Sequence, residues 1–127
     1  MKSKTAITLM LYLVGALTLF HILILLKVIP YDITWGGRLN NDSEMYAFES
    51  ASLLINLLLG LVLLIKGKLI KPIFSIRIAN VILWLFFILF GLNTVGNLLA
   101  KTNFEKFFTI PTLLAGVLIW VILRSKK

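Results

Sequence analysis

Four long runs of apolar side chains, separated by short segments that hold nearly all of the charge, constrain this chain more than any other feature. A hydrocarbon core of about 30 Å takes roughly 20 residues of helix to cross. Four such runs with short connections use up almost all of the 127 residues. The chain is 60% hydrophobic with a mean hydropathy of +1.01, where a soluble domain holds roughly 45–50% apolar residues. These observations predict an all-α integral membrane protein, folded as one antiparallel four-helix bundle over residues 1–127. The spans fall at about 5–29, 45–65, 73–100 and 108–123, with no separate soluble domain.

The charge pattern sets the expected orientation. A pI near 10.1 in a soluble protein would suggest nucleic acid. Here the basic residues cluster at the ends of apolar runs, which is a signal for membrane orientation, and no nucleic-acid partner is expected. Nine of the thirteen Lys and Arg residues fall on the side of the N-terminus, and all five acidic residues fall on the other. Both termini are therefore expected in the cytoplasm, with the protein in the cell (inner) membrane. A cleaved signal peptide is the competing reading of the first run, but that run is too long for an h-region and no small-x-small site ends it. With no Cys in the chain, thiol redox chemistry, thiolate metal sites and disulfide exchange are excluded, and with them the quinone-linked disulfide oxidoreductases of similar size.

Local signals mark the joints. Pro30 is expected to stop the first helix, with Lys27 snorkelling to the interface. The following loop contains Gly36-Gly37 for a tight reversal, with Tyr31 and Trp35 as interfacial anchors. Ser43 and Glu44 open the second helix, Lys66-Gly67-Lys68 closes it, and Pro111 suits the first turn of the fourth.

Polar groups inside the apolar runs are the candidates for function, because a charge at mid-bilayer costs about 2.5 to 3.5 kcal/mol even on the lenient insertion scale. Glu49, Ser52 and Asn56 are spaced three and four residues apart and form one stripe on the second span, passing Gly60. Asn93 and Asn97 lie one turn apart on the third, beside Thr94, and Thr18 shares a face with His21 on the first. Counted from the outer surface, Glu49 lies about one turn down, His21 about two, Asn56 near the middle, and Asn93 and Asn97 within the outer third. The reading that follows is an outward-facing polar pocket. His21 and Glu49 form a hydrogen-bonded, proton-sharing pair in it, Ser52, Asn56, Asn93 and Asn97 line it, and Trp35 and Arg38 close its mouth. The plainer alternative is that the Asn and Thr groups hold helices together and bind nothing. A lone His makes no metal site, and neither a metal nor a cofactor is expected.

The combination of His21, Thr34-Trp35-Gly36-Gly37-Arg38-Leu39, Glu49 with Ser52, Asn93-Thr94-Val95-Gly96-Asn97, and Glu105 followed by Pro111-Thr112 resembles a family of small four-span bacterial membrane proteins with a Trp-Gly-Gly-Arg loop. The resemblance covers almost the whole chain. It implies the four-span fold and a bacterial cell membrane, and it implies no activity. Sterol-isomerase-like four-span domains also place His, Glu, Asn and Trp in a cavity, but their motifs do not align here. Small multidrug exporters have an essential Glu in the first span, which this chain lacks.

The leading expectation is a protein that binds or transports a small polar or amphipathic ligand through that pocket, among membrane lipids as neighbours. The alternatives are an accessory subunit of a larger complex, joined through its loop and small-residue faces in a homo- or hetero-oligomer, and an intramembrane enzyme with Glu49 and His21 as acid and base. The enzyme reading has no nucleophile motif behind it.

Overall fold

The computed structural model describes residues 2–30, 40–99 and 103–124. Over these residues the chain is all α-helix and turn, in the order α1 Ser3–Leu25, α2 Asp42–Lys66, α3 Ile76–Leu98, α4 Asn103–Phe107 and α5 Thr109–Arg124. Four of its helical stretches are long and apolar enough to cross a membrane, the last running from Glu105 to Arg124 through α4 and α5.

The helix ends show how the sequence sets each boundary. At the start of α2 the Asn41 side chain accepts from the Glu44 N–H at 2.8 Å, and the Glu44 carboxylate accepts from the Asn40 N–H at 2.8 Å. This is a reciprocal cap that satisfies donors the first turn leaves open. Ser75 does the same for α3 by accepting from Ile78 N–H at 3.3 Å, so that helix begins at Ile76, a turn later than the apolar pattern suggests.

α1 closes at Leu25, before Pro30 can act as the stop. Lys27 takes a left-handed φ of 62°, its N–H bonds the Ile24 carbonyl, and the Val28 N–H bonds the Leu23 carbonyl. α2 ends in the same way, with Lys68 at φ 59° donating to Ile65 and Leu69 donating to Leu64. In both cases a lysine fills the left-handed position that glycine usually takes. Gly67 serves a different purpose. Its φ is −81°, and a Cβ there would sit 3.3 Å from Ile7 of α1.

α4 and α5 are separated at Phe108 because Pro111 has no N–H to offer the Phe107 carbonyl, and its ring crowds that turn. The Phe108 N–H bonds the Glu105 carbonyl instead, at 3.0 Å.

α1 packs on α2 and α5, and α3 packs on the same two helices. The pairs that meet between α1 and α2 rise in one helix as they fall in the other, with His21 against Glu49, Val14 against Asn56 and Gly60, and Ile7 against Gly67. The two helices therefore run antiparallel.

The core is divided along this axis. The main apolar cluster joins Ile7 and Met10 of α1, Val62 and Leu63 of α2, Ala79 and Leu83 of α3, and Ile119 and Ile122 of α5. It occupies the half holding the start of α1 and the end of α2. Among the described residues a smaller cluster, the buried pair Ile24 and Met45 packed by Phe20, Leu25 and Ile29, lies in the other half. The buried polar side chains Glu49, Thr94, Glu105 and Thr112 also lie in that second half.

Candidate functional site

The polar layer is built from one or two turns of each long helix. On α2, Glu49 is buried to 1% exposure, seven residues into the helix, where the 3.6-residue repeat turns it toward α1 together with Asn56. On α1, the His21 ring stands opposite, with Nδ1 2.7 Å from Glu49 Oε1. A neutral imidazole carrying its proton on Nδ1, or an imidazolium, donates to that carboxylate oxygen. The His21 side chain keeps 19% exposure. One edge of the ring therefore stays accessible while the carboxylate is covered. The bond joins the two helices through ionisable groups.

Two turns deeper, Asn56 Nδ2 donates to the Val14 carbonyl at 3.0 Å and to Thr18 Oγ1 at 2.7 Å, and Thr18 Oγ1 also lies 2.8 Å from the Val14 carbonyl. Asn56 thus ties α2 to a backbone carbonyl of α1. The tie works because Gly60, one turn on, brings the backbones close, and a Cβ there would lie 3.4 Å from Val14. Ser52 is half-buried between Glu49 and Asn56 on the same face.

α3 enters the layer differently from the sequence expectation. Its buried stripe runs through Leu83, Phe86, Phe90 and Thr94, which leaves Asn97 half-buried and Asn93 exposed. The expectation that Asn93 turns inward is therefore corrected. Thr94, its neighbour 100° around the helix, is the residue that points in. Thr94 Oγ1 lies 3.0 Å from Thr112 Oγ1 of α5, and each hydroxyl also donates to the carbonyl four residues before it, Phe90 and Phe108 respectively, at 2.8 Å. Trp35 and Arg38 lie outside the described residues.

Further polar groups in this half lie beyond the set expected to line the pocket. Glu105, which the charge pattern assigns to an outer loop, is buried to 6% exposure. The signal was its place in the apolar window that continues to Arg124. The Thr109 hydroxyl is buried without a hydrogen-bond partner. Lys27 pairs with Asp42 across the α1–α2 connection, and both are half exposed, so this pair adds about 0 to 1 kcal/mol.

Among the described residues the polar side chains meet one another directly. His21 and Glu49 close on each other, Asn56 closes on α1, and the depression that opens nearby is apolar, lined by Phe107, Phe108, Ile110 and Pro111. The two features are joined by Phe20, whose ring lies 4.8 Å from that of Phe108 and 5.8 Å, edge on, from His21. Among the described residues no three His, Cys, Asp or Glu side chains gather to hold a metal.

Known families, curated proteins and solved structures give no match to the chain. Its chemistry is therefore argued from its own residues. Glu49 bonds His21, the His21 ring meets Phe20, and Phe20 in turn meets Phe108.

Proposed function

We propose that the chain forms an antiparallel four-helix bundle in a bacterial cell membrane, with both termini cytoplasmic, and that it binds or transports a small polar or amphipathic ligand from the outer side. The observation that carries the reading is the His21–Glu49 pair. An ionisable pair 2.7 Å apart, with the carboxylate at 1% exposure, stands in a stretch of chain otherwise suited to lipid.

Two further observations support it. Buried Glu105 and the partnerless hydroxyl of Thr109 lie at the same end of the helices as the pair. The Phe107–Pro111 depression beside Phe20 offers an apolar approach to the His21 edge. The ligand of this proposal therefore has an apolar part that rests in the depression and a polar end that reaches His21. Trp35 and Arg38 enter this proposal as the residues that would close its mouth.

The test is mass spectrometry of small molecules that co-elute with the protein from native membranes. The unsubstituted chain is expected to hold a defined species that Glu49→Gln and His21→Ala release while still eluting as folded, monodisperse protein. Loss of folded yield in both variants, with no species held by the parent, refutes the reading and leaves the layer a structural network.

A second reading, an accessory subunit of a larger membrane complex, draws on Asn93. That amide is exposed on α3, about 7.5 Å from the helix end at 1.5 Å per residue, where a partner helix would satisfy it. A stoichiometric partner that co-purifies with the parent and is lost on Asn93→Leu supports this second reading.

A further inference from the structure

The end of the molecule opposite the polar layer combines features that the ligand site does not use. Between Glu49 and Glu105 the chain contains no acidic residue, and Lys66, Lys68, Lys71 and Arg77 all fall around the turn that joins α2 to α3. Lys66 is buried to 8% exposure, and its Nζ donates to Asn80 Oδ1 of α3 at 2.7 Å. That bond ties the two helices together under the turn. The turn itself is fixed by the Lys68 N–H to the Ile65 carbonyl at 3.0 Å and the Leu69 N–H to the Leu64 carbonyl at 2.9 Å. From this fixed turn Lys68, Lys71 and Arg77 are all exposed.

Between the cations stand Leu69 at 61% exposure and Ile73 at 74%. A turn bathed in water has no reason to present these two side chains, and a turn among acyl chains has no place for Lys68 and Lys71. Only the headgroup layer satisfies both, with the apolar side chains directed into the upper acyl region and the cations beside phosphates. A patch with this much uncompensated positive charge selects a lipid whose headgroup is net negative over one that is zwitterionic.

We infer that the α2–α3 turn is a binding site for an anionic phospholipid. Lys68, Lys71 and Arg77 contact its phosphate and headgroup, Leu69 and Ile73 lie against its acyl chains, and the Lys66–Asn80 bond holds the frame. The site is independent of the His21–Glu49 layer and stands whether or not that layer binds a ligand.

The experiment is native mass spectrometry of the full chain released from nanodiscs of phosphatidylglycerol mixed with phosphatidylcholine. The parent chain is expected to retain phosphatidylglycerol in preference to phosphatidylcholine. The preference should fall by about fivefold for each charge removed, so that Lys68→Gln, Lys71→Gln and Arg77→Gln together nearly abolish it, while Gly91→Ala, which meets nothing within 4 Å, leaves it unchanged. If the triple variant does not fold, the parent alone decides, because its preference must weaken as salt is raised. Equal retention of both lipids by the parent overturns the inference. So does a salt-independent preference, or a folded triple variant that retains phosphatidylglycerol as the parent does. Displacement of the lipid by glycerol phosphate at equal concentration also overturns it, since the site would then read free phosphate and not a membrane lipid.

Discussion

Replacing Glu49 by Leu and His21 by Phe, singly and together, measures the bond between α1 and α2 that the polar layer depends on. In a soluble interior, removing one partner of a buried ion pair costs about 3 to 5 kcal/mol, because the other charge is left alone. Two features lower that figure here. The His21 side chain keeps 19% exposure, so an unpaired imidazole still reaches polar surroundings. In addition, the unfolded state of a membrane protein also lies in lipid, which brings measured interhelical bonds down to roughly 0.6 to 2 kcal/mol. A charge-assisted bond of 2.7 Å belongs at the upper end of that range.

Each single substitution is therefore expected to cost about 2 kcal/mol, and the double substitution little more than either. The coupling is then about 2 kcal/mol. The assay is reversible unfolding in mixed micelles titrated with denaturing detergent, followed by Trp fluorescence in all four members of the cycle. Single costs that simply add, with coupling below about 0.5 kcal/mol, would refute the pair.

Other substitutions test the remaining contacts. Asn56→Leu should cost about 1 kcal/mol, and less than Glu49→Leu, because the Val14 carbonyl keeps its contact with Thr18 Oγ1 at 2.8 Å; the same unfolding titration measures it. Gly60→Val should destabilise by about 1 to 3 kcal/mol, since even a Cβ comes within 3.4 Å of Val14. Gly91→Ala, with nothing within 4 Å of the new Cβ, should instead stabilise by up to about 1 kcal/mol. Lys68→Gly should raise stability by about 1 kcal/mol by relieving a non-glycine φ of 59°, read as a shifted unfolding midpoint. Because the chain has no native Cys, Cys placed at Gly37 should react with an impermeant thiol reagent from outside intact cells, and Cys at Lys71 should react only after permeabilisation. The reverse pattern would invert the proposed orientation.

Much of the layer could be read from spacing alone. Glu49 and Asn56 recur at helical period in an apolar run, and polar groups so placed are costly unless they meet a partner, so their turning toward another helix follows from energy before any coordinates. The pairing of His21 with Glu49 was legible for the same reason, since each is the other's nearest match in chemistry and depth. On α3 the apolar runs are uniform enough to fit several rotations about the helix axis. Composition could not choose between Asn93 and Thr94 as the inward residue, and packing of Phe86 and Phe90 against the core made the choice.

What the amino-acid sequence determined by itself is the class of the protein: four apolar stretches of bilayer length, capped and punctuated by their own side chains, with charges sorted to the ends. Those properties follow from residue chemistry and chain length, and no neighbour is needed to express them. Tertiary structure alone decided that the polar groups close on each other beside an apolar depression, that Glu105 is buried, and that Lys66 reaches Asn80. Each of these depends on how far a helix rotates and slides against the next, and in a lipid-compatible chain that is set by close packing of particular side chains, because apolar surface gains nothing by choosing protein over lipid.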